Sequence, residues 1–240
     1  MSNEAARLFL TRLIQIEKNA YFVGGCVRDA LLGKQTRDID VSIQSQVTDV
    51  VDDLERLYPG AYHIKRSLLN TALLTVDEYD FDLASFRMDV FTRGDGIPVV
   101  TQGTFESDLS RRDFTINTGY IPIDAHTIEE MLSEKPDKQL LLYKSHPNML
   151  KDLEHRQLVV LHENAFIEDA SRMLRAVKYM HVLGFELSSE THRLFKEAQA
   201  LGVLQSYSQS RFLHILQGFV QLECGMAILK TLSLNGLLMA

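Results

Sequence analysis

The residues best equipped for chemistry lie between positions 21 and 43. Asp38 and Asp40 stand two apart in Asp38-Ile39-Asp40-Val41-Ser42-Ile43, a run that alternates polar and apolar as a half-buried strand does. On a strand, Asp38, Asp40 and Ser42 share one face, and Ile39, Val41 and Ile43 turn to the core. Two carboxylates held this close on a rigid element repel each other unless a cation neutralises them. Hard oxygen donors suit Mg2+, which takes one or two carboxylates and completes its shell with water and phosphate oxygens. Two aspartates alone read more readily as the wet face of an edge strand; what lies upstream reverses that preference. Tyr21-Phe22-Val23 has the composition of a strand, Gly24-Gly25 permits a sharp turn and a close ligand approach, and Cys26 to Leu32 has helical spacing closed by Gly33. A strand, two glycines and a helix start present backbone N–H groups to an anion, and Arg28 adds a fixed positive charge. The stretch therefore predicts a phosphate-binding turn beside a metal-binding strand.

The surrounding elements must hold these groups in place. Residues 3–18 carry apolar side chains at helical recurrence (Leu8, Phe9, Leu13, Ile16), and Val47 to Leu57 does the same before Pro59-Gly60 stops it. Three strand-like runs follow, Tyr62 to Lys65, Thr71 to Val76 and Tyr79 to Phe86, with Asp77-Glu78 as a hairpin turn between the last two. Asp82 sits within the third run, either as a further metal ligand or as a charge on the wet face of the sheet. Residues 87–109, with Gly94, Asp95, Gly96, Pro98 and Gly103, read as a long loop of the kind that often carries function. Beyond it, Arg111, Arg112, Asp113 and Asn117 can bind phosphate and ribose hydroxyls, or form surface ion pairs at a helix start. Residues 120–160 suggest a short helix over Glu129 to Glu134 and a strand over Gln157 to Leu161. From Phe166 onward the pattern is helical, with breaks at Gly184 and Ser188 and helices over Ser210 to Leu222 and Cys224 to Leu238. Asp169 and Arg172, three apart with Arg175 following, fall on one helix surface. They make either a routine ion pair or a donor and acceptor side by side for a base edge.

Composition bounds the reading. The 240 residues are 45% hydrophobic and 24% charged, ordinary for a globular chain with a real core. A net charge of −7 disfavours a wholly basic nucleic-acid binder but leaves room for a local basic stripe. Two distant cysteines, Cys26 and Cys224, fit no zinc pattern, and with no signal peptide or long apolar run the expectation is a cytoplasmic protein without a membrane segment. The change from mixed to helical character sets an expected boundary near residue 160.

Four stretches in order resemble the class II nucleotidyltransferases: bacterial tRNA CCA-adding enzymes, their CC-adding and A-adding relatives, and bacterial poly(A) polymerases. They are Val23-Gly24-Gly25-Cys26-Val27-Arg28-Asp29-Ala30-Leu31-Leu32-Gly33 with Asp38-Ile39-Asp40, then Leu83-Ala84-Ser85-Phe86-Arg87, then Asp108 to Asn117 as an RRDxxxN motif, then Glu168-Asp169-Ala170-Ser171-Arg172 as an EDxxR motif. The resemblance implies an α+β fold, with a mixed-sheet head domain over 1–160 and an all-helical neck over 161–240. The body and tail domains of the family are not in this sequence. It implies template-independent addition of C and/or A from CTP or ATP to the 3′ end of tRNA. Two Mg2+ ions would lie on Asp38 and Asp40, one activating the RNA 3′-hydroxyl for in-line attack and the other steadying pyrophosphate. Asp82 is a third candidate ligand. Gly24, Gly25 and Arg28 would hold triphosphate, and Arg111, Arg112, Asp113 and Asn117 ribose and phosphate. Asp169 and Arg172, with Arg175 beside them, would read the base. Two departures stand out. Pro147 to Leu153 lacks the glycines of the family's hinge, and Ile215 stands where a Glu is usual. Competing readings are tailing of other RNA in the manner of a poly(A) polymerase, a nucleotide- or RNA-binding module without turnover, and transfer to a protein or small molecule.

Overall fold

The structure is a computed structural model and describes residues 3–67, 70–91, 98–137, 140 and 142–238. It divides into two units. Met1–Met88, Val100–Arg112 and Ile116–Met149 form the first; Asp89–Val99, Asp113–Thr115 and Leu150–Ala240 form the second.

The first unit runs α1 (Glu4–Ile16), β1 (Ala20–Val23), α2 (Gly24–Leu31), β2 (Asp38–Ile43), α3 (Val47–Leu57), β3 (Ile64–Arg66), β4 (Thr71–Val76) and β5 (Tyr79–Ser85). β6 (Arg87–Val90) and β7 (Val99–Gln102), of which Asp89, Val90 and Val99 fall in the second unit, are followed by α4 (Phe105–Ser110), β8 (Tyr120–Pro122) and α5 (Ala125–Met131). Six strands make one sheet in the order β3-β4-β5-β2-β1-β8. Only β2 and β5 pair in parallel; the other neighbours are antiparallel. Ile39 and Val41 of β2 stand opposite Phe81 and Leu83 of β5, which stand opposite Leu74 and Ala72 of β4. All six side chains are buried. Helices α1 and α3 pack over β4, and the Phe9 and Phe81 rings lie 4.8 Å apart. Each large apolar side chain so buried contributes about 1.5–3 kcal/mol. That layer fixes what faces the other way, because a strand's side chains alternate. Asp38, Asp40 and Ser42 of β2 and Asp80, Asp82 and Ala84 of β5 share the opposite face.

The local signals explain most boundaries. Asp77, in the left-handed region at φ 56°, closes the β4–β5 hairpin. Gly33, at φ 70°, follows the end of α2. The two glycines at 24 and 25 are themselves the first turn of α2 instead of a loop before it. Residues 87–109 are not one loop: β6 and β7 pair as a small separate sheet, and α4 is capped by Thr104, whose Oγ1 accepts the Ser107 N–H at 3.3 Å. Gly94, Asp95 and Gly96 lie outside the described residues. The helix expected over Glu129 to Glu134 begins earlier, at Ala125, because Asp124 caps it by accepting the Thr127 N–H at 2.8 Å.

The second unit takes α6 (Met149–Glu154) from its second residue on, then β9 (Gln157–Leu158), α7 (Ala165–Glu168), α8 (Ser171–Leu183), β10 (Glu186–Leu187), α9 (Ser189–Ala200), α10 (Gln209–Val220) and α11 (Gly225–Leu234). From Leu150 onward its described residues form helices and turns apart from a two-residue parallel pairing of β9 with β10. Residues of the 113–115 segment are stitched into it: Phe114 bridges Val160, and the Thr115 N–H donates to the Val159 carbonyl at 2.8 Å. Gly184, at φ 68°, ends α8, and Ser188 caps α9. Among the described residues no helix is long and apolar enough to cross a membrane.

Candidate active site

On the polar face of the sheet, parallel pairing puts Asp40 directly beside Asp82, and Asp38 beside Asp80. A cavity of about 210 Å3 opens there, lined by Asp40, Asp82, Ser42, Arg87, Arg111 and Arg112 among others. Burial and the charge of Asp38 push the Asp40 carboxyl up to about 6, Asp82 adds to the rise, and Arg112 and the Gly25 N–H oppose it. Asp82 is likewise raised by burial and by Asp38, against Arg87 and Arg111. Among the described residues no group of three His, Cys, Asp or Glu side chains is drawn together as a ready metal site. The donor set nevertheless fits Mg2+, which needs only one or two carboxylates. Asp40 holds negative charge that its neighbours do not fully compensate, and a divalent ion would relieve it.

The α2 glycines meet this cavity from the side. Gly24 adopts φ 70°, and a Cβ there would stand 2.9 Å from Asp40 Oδ2 and 3.1 Å from a terminal nitrogen of Arg112. No side chain fits without displacing one of them. Gly25 is roomier: its Cβ would meet the Arg28 guanidinium at 3.5 Å, an ordinary contact. Arg28 is buried and does not line the cavity. Its Nε and one terminal nitrogen each donate to Asp29 at 2.9 Å, and the other terminal nitrogen donates to Asn117 Oδ1 at 2.7 Å. Arg28 and Asn117 are thus joined to each other.

The two adjacent arginines are held by a residue that the sequence did not single out. Asp108, fully buried at 0% exposure, accepts from Arg111 through Oδ1 at 2.7 and 2.8 Å and from Arg112 through Oδ2 at 3.1 Å. Ser42 Oγ and the Tyr120 hydroxyl also donate to Oδ2. Burial alone would raise the Asp108 carboxyl, but Arg111, Arg112 and Tyr120 together hold it below the ordinary carboxylate range. The Arg112 guanidinium lies 4.8 Å from the centre of the Tyr120 ring and donates to its hydroxyl at 3.1 Å. The sequence signal for Asp108 is its place three and four residues before the arginines, one helical turn away.

The remaining candidates belong to the second unit. Asp113 is there rather than with Arg111, Arg112 and Asn117. Arg175 reaches Asp113 Oδ2 at 3.0 Å and Asp169 Oδ2 at 3.3 Å; these two charges hold its partly exposed guanidinium above its ordinary value, against the cost of its partial desolvation. Asp169 does not share a helix surface with Arg172. It sits extended in the break between α7 and α8, with Oδ1 accepting the Ser171 N–H at 3.0 Å. Arg172 is 2% exposed and donates to the Ala165 carbonyl at 3.1 Å. Its guanidinium is 3.8 Å from Glu168 and 5.9 Å from the Phe91 ring centre, and burial lowers its proton affinity. Tyr207, also buried, has the Arg211 guanidinium 5.0 Å from its ring centre and was not foreseen.

Residues 20–140 match the model of the Poly A polymerase head domain. The chain is 31% identical over 195 residues to an A-adding tRNA nucleotidyltransferase of Aquifex aeolicus strain VF5, covering 81% of this chain and 22% of that protein. It is 29% identical over 228 residues to a CCA-adding enzyme of Bacillus subtilis strain 168, covering 91% and 51%. It also superimposes on a crystal structure of a tRNA nucleotidyltransferase complexed with a primer tRNA and an incoming ATP analog. That match has a TM-score of 0.69 and 28% identity and covers 90% of this chain and 57% of the other. The chain therefore spans between a fifth and about half the length of these curated relatives.

Proposed function

The chain belongs to the Poly A polymerase head domain family, and on that premise we propose that it is a template-independent RNA nucleotidyltransferase. In this reading it adds C and/or A from CTP or ATP to the 3′ end of tRNA, releasing pyrophosphate. The observation that carries the reading is the register of β2 with β5, which sets Asp40 beside Asp82 on the wall that Arg111 and Arg112 also line. The names of the relatives and of the tRNA- and ATP-analog-bound structure support the choice of substrates.

The first unit is the catalytic head and the second the nucleobase-reading neck. Asp38, Asp40 and Asp82 would hold Mg2+, which when bound supplies Lewis-acid stabilisation to the attacking oxygen and the departing pyrophosphate. Gly24 keeps the space over Asp40 open for a phosphate, and the start of α2 offers backbone N–H groups at its edge. Arg111 and Arg112 carry the positive charge that meets the triphosphate, held in place by Asp108. Arg28 orients Asn117, whose amide faces the sugar. In the neck, Asp169 and Arg172 would supply an acceptor and a donor to the base by exchanging their present partners, Ser171 and Arg175 for Asp169 and the Ala165 carbonyl for Arg172, and a wrong base would leave them unpaired. Free thiols at Cys26 and Cys224 suit a cytoplasmic setting.

The test is extension of tRNA lacking its CCA end, with Mg2+ and labelled CTP or ATP. Wild type incorporates label, and Asp40→Ala loses at least about a thousandfold in rate, in keeping with loss of electrostatic stabilisation of the transition state. No incorporation by well-folded wild type, or full activity in Asp40→Ala, sinks the reading.

A further inference from the structure

The wet face of the sheet does not end at the carboxylate cavity. Register carries it outward strand by strand: Asp40 of β2 stands opposite Asp82 of β5, Asp82 opposite Leu73 of β4, and Leu73 opposite Lys65 of β3. Directly opposed residues share a face, so these four side chains make one row. Leu73 is 41% exposed, and Lys65 is exposed at the edge of the sheet. On either side of Leu73, the wet-face positions of β4 are Thr71 and Thr75.

Charge changes along this row. β2 and β5 contribute Asp38, Asp40, Asp80 and Asp82 to the face. β4 and β3 contribute two threonines, a leucine and a lysine, with no carboxylate. Of the two adjacent β3 cations, Arg66 turns to the helix side and pairs with Asp52 and Glu55 of α3 at 2.7 Å. Lys65 turns the other way and has no ion pair among the described residues.

In-line transfer limits where an RNA can enter, because the attacking and departing oxygens lie on opposite sides of the phosphorus. The groups suited to pyrophosphate stand on the β1 and β8 side of Asp40. Gly24 follows β1 and lies against Asp40, and Arg112 reaches both Gly24 and the Tyr120 hydroxyl of β8. The attacking 3′-hydroxyl then comes from the β5 side, with the rest of its strand over β4 and β3. The cavity reaches that way, with Thr71 of β4 in its wall. Phosphates of that strand are repelled by the four aspartates and attracted to Lys65. A lone exposed leucine is ordinary, and a lysine on an edge strand can serve only to keep other chains from pairing there. What sets these two apart is their register with the carboxylates.

We propose that the wet face of β4 and β3 is the track of the acceptor RNA strand. Lys65 meets a backbone phosphate near the 3′ end, and Leu73 packs against the terminal nucleotide. The proposal rests on the RNA-extending function above and names the surface by which the acceptor reaches that site.

Binding and its salt dependence test it. Fluorescently labelled tRNA lacking its CCA end is titrated by anisotropy over a series of salt concentrations, with Mg2+ and no triphosphate, against wild type, Lys65→Gln, Lys65→Glu and Leu73→Thr. Both positions are exposed, and threonine already occupies the neighbouring wet-face positions of β4, so the variants keep the fold. Lys65→Gln should raise Kd about threefold and lower the slope of log Kd against log salt by about 0.7, the signature of one phosphate contact on a single strand, and Lys65→Glu should raise Kd about tenfold. Leu73→Thr should raise Kd about threefold through lost apolar contact and leave the slope alone. The KM for CTP or ATP should stay within about twofold in all three, since neither side chain faces the triphosphate. No binding by wild type, or an unchanged Kd and slope in Lys65→Glu, overturns the proposal. So does an effect confined to oligomeric state in sedimentation, which would make this face a contact between copies. Binding whose salt slope depends on Lys65, in a protein that extends no RNA, would overturn the function and leave the track standing.

Discussion

The two units each contain a knot of arginine and aspartate, and the knots are wired in opposite senses. In the first, one carboxylate, Asp108, holds two guanidinium groups. In the second, one guanidinium, Arg175, holds two carboxylates, Asp113 and Asp169. Counting these groups alone, the first knot carries a surplus positive charge beside a cavity, which is what an anion needs. The second carries surplus negative charge that Arg172 brings to balance, which suits hydrogen bonding to a neutral ring system. On the proposed function, a phosphate site and a base-reading site would be built from the same two residue types by reversing their stoichiometry.

The comparison can be broken at several points. Asp108→Asn should have the largest effect on stability. Removing the charge leaves two largely buried arginines without their partner, at a cost of about 3–5 kcal/mol by urea unfolding. Pyrophosphate binding should weaken as well; a cost under about 1 kcal/mol would show that Asp108 is no anchor. The pH dependence follows the same logic. The Asp108 carboxyl titrates lower in the fold than in the unfolded chain, so its stabilisation is complete above about pH 4 and fades as pH falls through its folded value. Wild type should lose urea stability more steeply than Asp108→Asn below about pH 4. Arg175→Met should cost less, about 1–2 kcal/mol, because its side chain is 36% exposed and partly screened. It should lower discrimination between nucleotides by about tenfold while sparing pyrophosphate binding. Equal loss of both readouts would erase the distinction between the knots. Gly24→Ala should cost about 1–2 kcal/mol for its positive φ and lower activity by pressing on Asp40, whereas Gly25→Ala should stay within about 0.5 kcal/mol by the same unfolding assay.

How much of this the sequence disclosed depends on the range of the interactions involved. The bounds of β2, α3 and β4 follow from apolar periodicity alone, because one face of each is dry, and the pairing of Asp40 with Asp82 needs only that β2 and β5 be neighbours. β6 and β7 were hidden in an expected loop because their residues are mostly exposed or half-buried and show no apolar alternation. β8 escaped notice as a three-residue edge strand ending in proline. The continuous apolar spacing from Phe166 onward concealed the break at Asp169, where a side chain captures the Ser171 N–H and starts a new helix. Asp108 was hardest to see. A carboxylate next to two arginines looks like a surface ion pair until Ser42 and Tyr120, distant in sequence, close over it.

The short return of residues 113–115 to the second unit has an architectural consequence. Phe114, wholly buried and edge-on to the Tyr179 ring at 5.8 Å, and Thr115, which donates to Asp152 at 2.6 Å, are donated to the helical half by a stretch of polypeptide flanked on both sides by the other half. No single cut can part the halves intact. A fragment starting at residue 150 would be born with a hole where Phe114 belongs, so gene fusion or domain shuffling at that seam would transmit a damaged piece, and the two units must be inherited together.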